Sequence, residues 1–112
     1  MITEKLTRDD IMKISRLYGG GLRNEAEIEN ALYAGRGRSV PRQVAYLWRA
    51  ILVSHPFIEG DKKTALAVAE LLFRGSDADS RRLVAAIIRI TKESIADVGR
   101  IERLVRYAME RH

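Results

Sequence analysis

The chain contains no cysteine. Disulfides, cysteine zinc sites and a thiol nucleophile are therefore excluded. It has two histidines, His55 and the last residue, His112, too few for a multi-histidine metal site. Only two prolines interrupt it, so helices can run long. No apolar run approaches the ~20 residues that a membrane helix needs. Met1 to Lys5 lacks the apolar core of a signal peptide. The expectation is a cytoplasmic protein with no membrane partner. Internal repeats and low-complexity stretches are absent as well.

What is present suits one folded domain spanning residues 1–112. Hydrophobic residues make up 46% and charged residues 31%, a balance that excludes a disordered chain. The formal net charge is +5, which favours anionic partners such as nucleotides, acidic peptides or nucleic acid.

Apolar spacing reads as helix almost throughout, and the alternation of a half-buried strand is missing. The first helix is expected over about Arg8 to Leu17, capped by Thr7 with Asp10 as capping-box acid, and ended by Gly19-Gly20-Gly21. The second spans about Glu25 to Ala34, with Asn24 as cap and Glu27 reaching back. The third opens at Pro41 and runs to about Ser54 on the stripe Val44, Leu47, Trp48, Ile51 and Leu52. The fourth runs from about Lys62 to Arg74, with Gly75 as its C-cap; its nearly unbroken apolar stretch marks it as the central buried helix. The fifth begins at Ser76 or Asp77 and reaches about Thr91. The sixth begins at Ser94, with Asp97 as capping-box partner. The fold class is all-α, a six-helix bundle.

One segment concentrates chemistry. His55-Pro56-Phe57-Ile58-Glu59-Gly60-Asp61-Lys62-Lys63 joins two strongly apolar helices. It holds the only internal histidine, then a carboxylate, a glycine and two lysines. A helix N-terminus offers free N–H groups and the positive end of its dipole to an anion. Gly60 lets backbone approach a ligand, and Lys62 and Lys63 add charge suited to phosphates. Glu59 is a hard oxygen ligand for Mg²⁺. His55 can accept a proton from an attacking hydroxyl, its ordinary pKa being about 6.5. Phe57 reads as an anchor for the loop. Taken singly, each residue also fits a plain role, as a cap, a solvated charge or a core anchor. Their arrangement in one loop carries the reading.

That arrangement resembles the Fic/Doc family, whose loop has the pattern H-x-F-x-(D/E)-(G/A)-N-(G/K)-R before a central helix. The continuation Lys63-Thr64-Ala65-Leu66 is similar to the death-on-curing, or Doc, branch; AMP-transferring Fic proteins typically carry a second arginine where Leu66 stands. Upstream, Gly21-Leu22-Arg23-Asn24-Glu25 and Ile28-Glu29-Asn30-Ala31-Leu32 resemble the family's G-L-R-D-x-x-x-L-E-S-A-L. The resemblance covers nearly the whole chain.

The resemblance implies a toxin of a toxin–antitoxin pair. Such a protein transfers a phosphoryl or nucleotidyl group from Mg-ATP, or from another nucleotide, to a hydroxyl of a target such as a translation elongation factor. His55 would be the general base and Glu59 a Mg²⁺ ligand. Gly60 and its neighbours would form the anion hole, and Lys62 and Lys63 would hold phosphates, Lys63 with a catalytic part. An antitoxin with a disordered tail would cover the cleft.

Two positions depart from the pattern. Asp61 replaces an asparagine that helps hold phosphate, and would repel phosphate unless a cation offsets it. Alternatively, Asp61 joins Glu59 as a second metal ligand. Lys63 replaces an arginine and loses its bidentate fork. These changes leave open a degenerate member that binds a nucleotide or partner without turnover. A third class, a small basic nucleic-acid-binding protein, rests on the clusters Arg36, Arg38, Arg42 and Arg81, Arg82, Arg89; nucleic acid is not expected as the main partner. The family reading also expects the cleft formed by the His55 loop to face the Gly19 to Arg23 turn.

Overall fold

The structure, a computed structural model, describes residues 6–22, 24–53, 59–74 and 78–109. The described residues form six helices: α1 (Arg8–Leu17), α2 (Glu25–Ala34), α3 (Val40–Leu52), α4 (Glu59–Leu72), α5 (Ser80–Glu93) and α6 (Val98–Met109). No strand occurs among the described residues, and none of their helices is long and apolar enough to cross a membrane. The Cα radius of gyration, 12.7 Å, is close to the ~13 Å of a compact chain of this length.

The centre of the bundle is α3. Val44, Leu47, Trp48, Ile51 and Leu52 recur at helical spacing and are all buried, so this face is closed by neighbours on every side. It packs against α2, α4, α5 and α6. Ser39 caps its start by accepting a hydrogen bond from the Arg42 N–H, with Pro41 in the first turn. Expected as the central helix, α4 instead packs against three neighbours, α1, α3 and α5, and leaves Lys63, Glu70 and Leu71 exposed. A buried bond locks the two together, since Trp48 Nε1 donates to the Ala65 carbonyl at 2.8 Å.

At α1 both halves of the capping box form. Thr7 Oγ1 accepts from the Asp10 N–H at 3.2 Å, and Asp10 Oδ2 accepts from the Thr7 N–H at 3.0 Å. That second bond, together with the Thr7 hydroxyl, holds the Asp10 carboxyl below its ordinary range. A depressed folded value means the carboxylate supports the cap above the ordinary value of 3.8 and loses that support as pH falls through the depressed one. Protection of the Thr7 and Asp10 amides, relative to their intrinsic exchange rates, should fall over that acidic window in the wild type. In Asp10→Asn the same window should bring no change in protection.

Three helix starts differ from the sequence reading. Helix α4 begins at Glu59 rather than Lys62, so Glu59, Gly60 and Asp61 form its first turn. The two acids there complement the dipole, which the lysines alone would have opposed. Helix α5 begins at Ser80 behind Asp79, whose Oδ1 accepts from the Arg81 N–H at 2.9 Å; Gly75, Ser76 and Asp77 lie outside the described residues. Helix α6 begins at Val98, and Asp97 caps it by accepting from the Arg100 N–H at 3.0 Å. Ser94 does not start α6. It ends α5 in the left-handed conformation at φ 53°.

Candidate functional site

The glycine turn after α1 lies directly on the first turn of α4. Helix α1 stops at Leu17, and the chain reverses through Gly19, whose φ of +71° suits glycine. The Gly20 N–H then donates back to the Ser15 carbonyl at 2.7 Å. This brings Gly20 against α4. A methyl group added at Gly60 would lie 2.5 Å from the Tyr18 carbonyl oxygen and from the Gly19 carbonyl carbon. One added at Gly20 would lie 2.6 Å from Asp61 Oδ1. Two bare glycines therefore let a loop and a helix meet backbone to backbone.

Asp61 ties the junction together. Its side chain is fully buried, and Oδ1 accepts a hydrogen bond from the Gly21 N–H at 2.8 Å. As the third residue of α4 it also lies at the positive end of the helix dipole, which favours its negative charge. Thr64, buried one turn on, donates through its hydroxyl to the Gly60 carbonyl at 2.8 Å. Ser15 Oγ on α1 and Asp61 Oδ1 on α4 both lie beside Gly20 and form a buried polar seam between the two helices.

The opposite face of the same turn is charged and open. The Glu59 side chain is 74% exposed, and its Oε2 lies 3.6 Å from Lys62 Nζ. Lys63 is exposed. Because α4 begins at Glu59, the N–H groups of Glu59, Gly60 and Asp61 have no acceptor within the helix itself. Cations and the N-terminal N–H groups thus share the end of one helix, an arrangement able to hold an anionic ligand.

Of the residues singled out in the sequence, Glu59, Lys62 and Lys63 come together here. His55, Phe57 and Arg23 lie outside the described residues. Glu59 and Asp61 are not brought together as paired metal ligands. Two residues apart on a helix, they point to different sides, one to solvent and the other into the α1–α4 seam. Among the described residues no group of three or more His, Asp or Glu side chains could hold a metal ion. Gly60 spends its missing side chain on the contact with Gly19 and Gly20. Of the upstream motif, the Gly19 to Gly21 turn lies against Gly60 and Asp61.

The sequence assigns no role to Ser15, and names Thr64 only within the Lys63-Thr64-Ala65-Leu66 continuation. The available signal was a polar residue in helical phase with Ile11 at Ser15, and a hydroxyl four residues after Gly60. The basic clusters are partly engaged elsewhere. Arg42 pairs with Glu102 at 3.0 Å, and Arg36 and Arg42 stack on Tyr33 and Tyr46. A separate groove of about 310 Å³ lies between α2 and α3, lined by Glu27, Asn30, Tyr46, Arg49 and Val53 among others. It shares no residue with the α1–α4 seam.

Comparison with protein-family models, with curated proteins and with solved structures found no match to this chain.

Proposed function

We propose that the chain is a Doc-like transferase, which moves a phosphoryl group, or part of a nucleotide, from Mg-ATP to a hydroxyl of a target protein. The observation that carries this reading is the hydrogen bond from the Gly21 N–H to Asp61 Oδ1, 40 positions apart in sequence. It joins the upstream glycine motif to the loop motif, the two segments that prompted the reading independently. A second support is chemical. The start of α4 combines its N-terminal N–H groups with Lys62 and Lys63.

In the phosphoryl case, the target hydroxyl loses its proton to His55, and its oxygen forms a bond to the γ-phosphorus. The bond from that phosphorus to the β–γ bridging oxygen breaks, and ADP leaves. Lys62, Lys63 and the α4 N-terminus hold the phosphates. Mg²⁺, when bound at Glu59, would offset charge on the phosphate oxygens. Such an enzyme works in the cytoplasm, modifies a translation factor or similar protein, and is held in check by an antitoxin.

A second reading, binding without turnover, is favoured by one observation. Asp61, standing where the family has a phosphate-holding asparagine, is buried against Gly21, so that position offers no side chain to a phosphate from this conformation. Labelled ATP separates the two. With γ- and α-labelled ATP run in parallel on a lysate, γ-label alone should appear on a target protein. It should fall at least ~100-fold in His55→Ala. Label from the α position would mean nucleotidyl transfer. Mg-ATP binding without transfer to the lysate or to purified elongation factor would favour the second reading.

A further inference from the structure

We propose that the outer seam between α5 and α6 holds a second anion site, which takes the phosphate group of a phosphate ester. A cavity of about 140 Å³ there is lined by Arg89, Ile95, Arg100, Arg103 and Leu104. Three arginines from two helices line it, and no carboxylate is among the lining residues. The floor is fixed. Ile95 is buried, and its N–H donates to the Ile90 carbonyl at 3.0 Å, closing the α5–α6 turn through Ser94.

The charges around the cavity do not cancel. Glu93 Oε2 accepts from Arg89 Nε at 3.0 Å, and a ligand would compete with it for that arginine. Asp97 is committed to capping α6. Glu102, on the same helix, pairs with Arg42 and Arg106. Arg100 and Arg103 have no ion-pair partner among the described residues. Three arginines against one glutamate leave an excess of two positive charges, enough to offset the charge of a phosphate ester.

The protein tolerates this arrangement at some cost. Arg100 and Arg103, three residues apart on one helix face, repel each other. Arg100 also lies in the first turn of α6, where a cation opposes the dipole. A bound phosphate offsets the repulsion, and guanidinium forks match its oxygens in pairs. The site is built of side chains and does not depend on the N–H groups of the α6 N-terminus. No residue of α1 or α4 lines it, so it stands apart from the His55 loop.

Phosphate esters reach such a site from two sources, a small phosphomonoester or the backbone of a single-stranded nucleic acid. The seam continues to Arg82, stacked 4.9 Å above the Tyr107 ring, with Tyr107 54% exposed. A strand would use such a cation and aromatic surface.

The test is an NMR titration of the full chain with inorganic phosphate at pH 7, ionic strength held constant with sodium chloride. Saturable shifts are expected at the amides of residues 95–104 and at the arginine Nε–H groups. Arg100→Ala with Arg103→Ala should weaken binding at least tenfold. Both residues are exposed, so the rest of the spectrum should be unchanged. The double lysine variant should retain intermediate affinity. His55→Ala should leave these shifts unaltered, which separates the outcome from that of the transferase reading. A ten-nucleotide single strand forms the second arm. Binding well above that of phosphate, falling steeply with salt, assigns the phosphodiester source; affinity no greater than that of phosphate assigns the monoester. Shifts that follow chloride alone, that survive the double alanine variant, or that appear only at residues 59–64 would overturn the proposal.

Discussion

Gly60→Ala should destabilise the protein by about 2 to 3 kcal/mol, a fall in melting temperature of about 10 °C. Alanine is the better helix former, and at an unhindered helical position the change would stabilise. At Gly60 the added methyl has nowhere to go. It would lie 2.5 to 2.6 Å from the Tyr18 oxygen, the Gly19 carbonyl carbon and the Gly20 nitrogen. These are backbone atoms of a tight turn, not the ends of flexible side chains, so no rotamer change can make room. The turn must lift from α4, and lifting it stretches the bond between the Gly21 N–H and Asp61. Gly99→Ala, near the start of α6, provides the contrast. Its methyl would meet only the Asp97 carboxylate, at 3.3 Å, and stability should stay within about 0.5 kcal/mol of wild type. Urea unfolding followed by circular dichroism measures both. If Gly60→Ala also stays within that range, the glycine turn does not rest on α4 in solution, and the junction that supports the functional reading falls with it.

That junction shows what the sequence could and could not reveal. Local signals were enough where a cap and a stripe agreed. Thr7 with Asp10 marked the start of α1, and Asn24 that of α2, where its Oδ1 accepts from the Ala26 and Glu27 N–H groups. The bond expected from the Glu27 side chain back to Asn24 is not among the described contacts. The stripe from Val44 to Leu52 marked α3, because its residues are buried by several neighbours at once. Signals failed where tertiary contacts overrode propensity. Gly60 and Asp61 are poor helix formers and read as loop, yet packing of the Gly19–Gly20 turn places them inside α4. Ser94 and Asp97 match a capping box in spacing. Ile95, buried and bonded back to Ile90, instead forces Ser94 into a left-handed turn and leaves the cap to Asp97. At α5, Asp79 prevails as cap partly because its N–H donates to the Ala108 carbonyl at 2.9 Å, a contact with α6 that no local pattern encodes. The candidate site was legible as a cluster of residue types. Their division into an inward Asp61 and an outward Glu59 was not, since composition does not say which side of a helix faces a neighbour.

Removing the inward carboxylate should be costly, whereas neutralising it should not. Asp61→Ala is expected to lower stability by about 3 kcal/mol. It deletes the acceptor of the Gly21 N–H and empties space that is fully closed to solvent. It also removes the negative charge that the α4 N-terminus favours. Asp61→Asn keeps an oxygen of the same reach. Turned toward Gly21, that oxygen can accept the same hydrogen bond, so the asparagine variant should lose about 1 kcal/mol. Amide exchange at Gly21 distinguishes a local effect from a general loosening. Relative to the global unfolding rate, Gly21 should exchange faster in the alanine variant and stay protected in the asparagine variant. Equal stability of wild type and Asp61→Ala, with Gly21 exchange unchanged, would mean that the bond is not what holds the turn. The pair also bears on activity. If Asp61 acts by positioning the turn, Asp61→Asn should keep whatever transfer activity the wild type has. If its charge is what limits phosphate binding, the same variant should transfer faster. Stability and transfer rate, measured on the same two proteins, therefore separate a structural carboxylate from an inhibitory one.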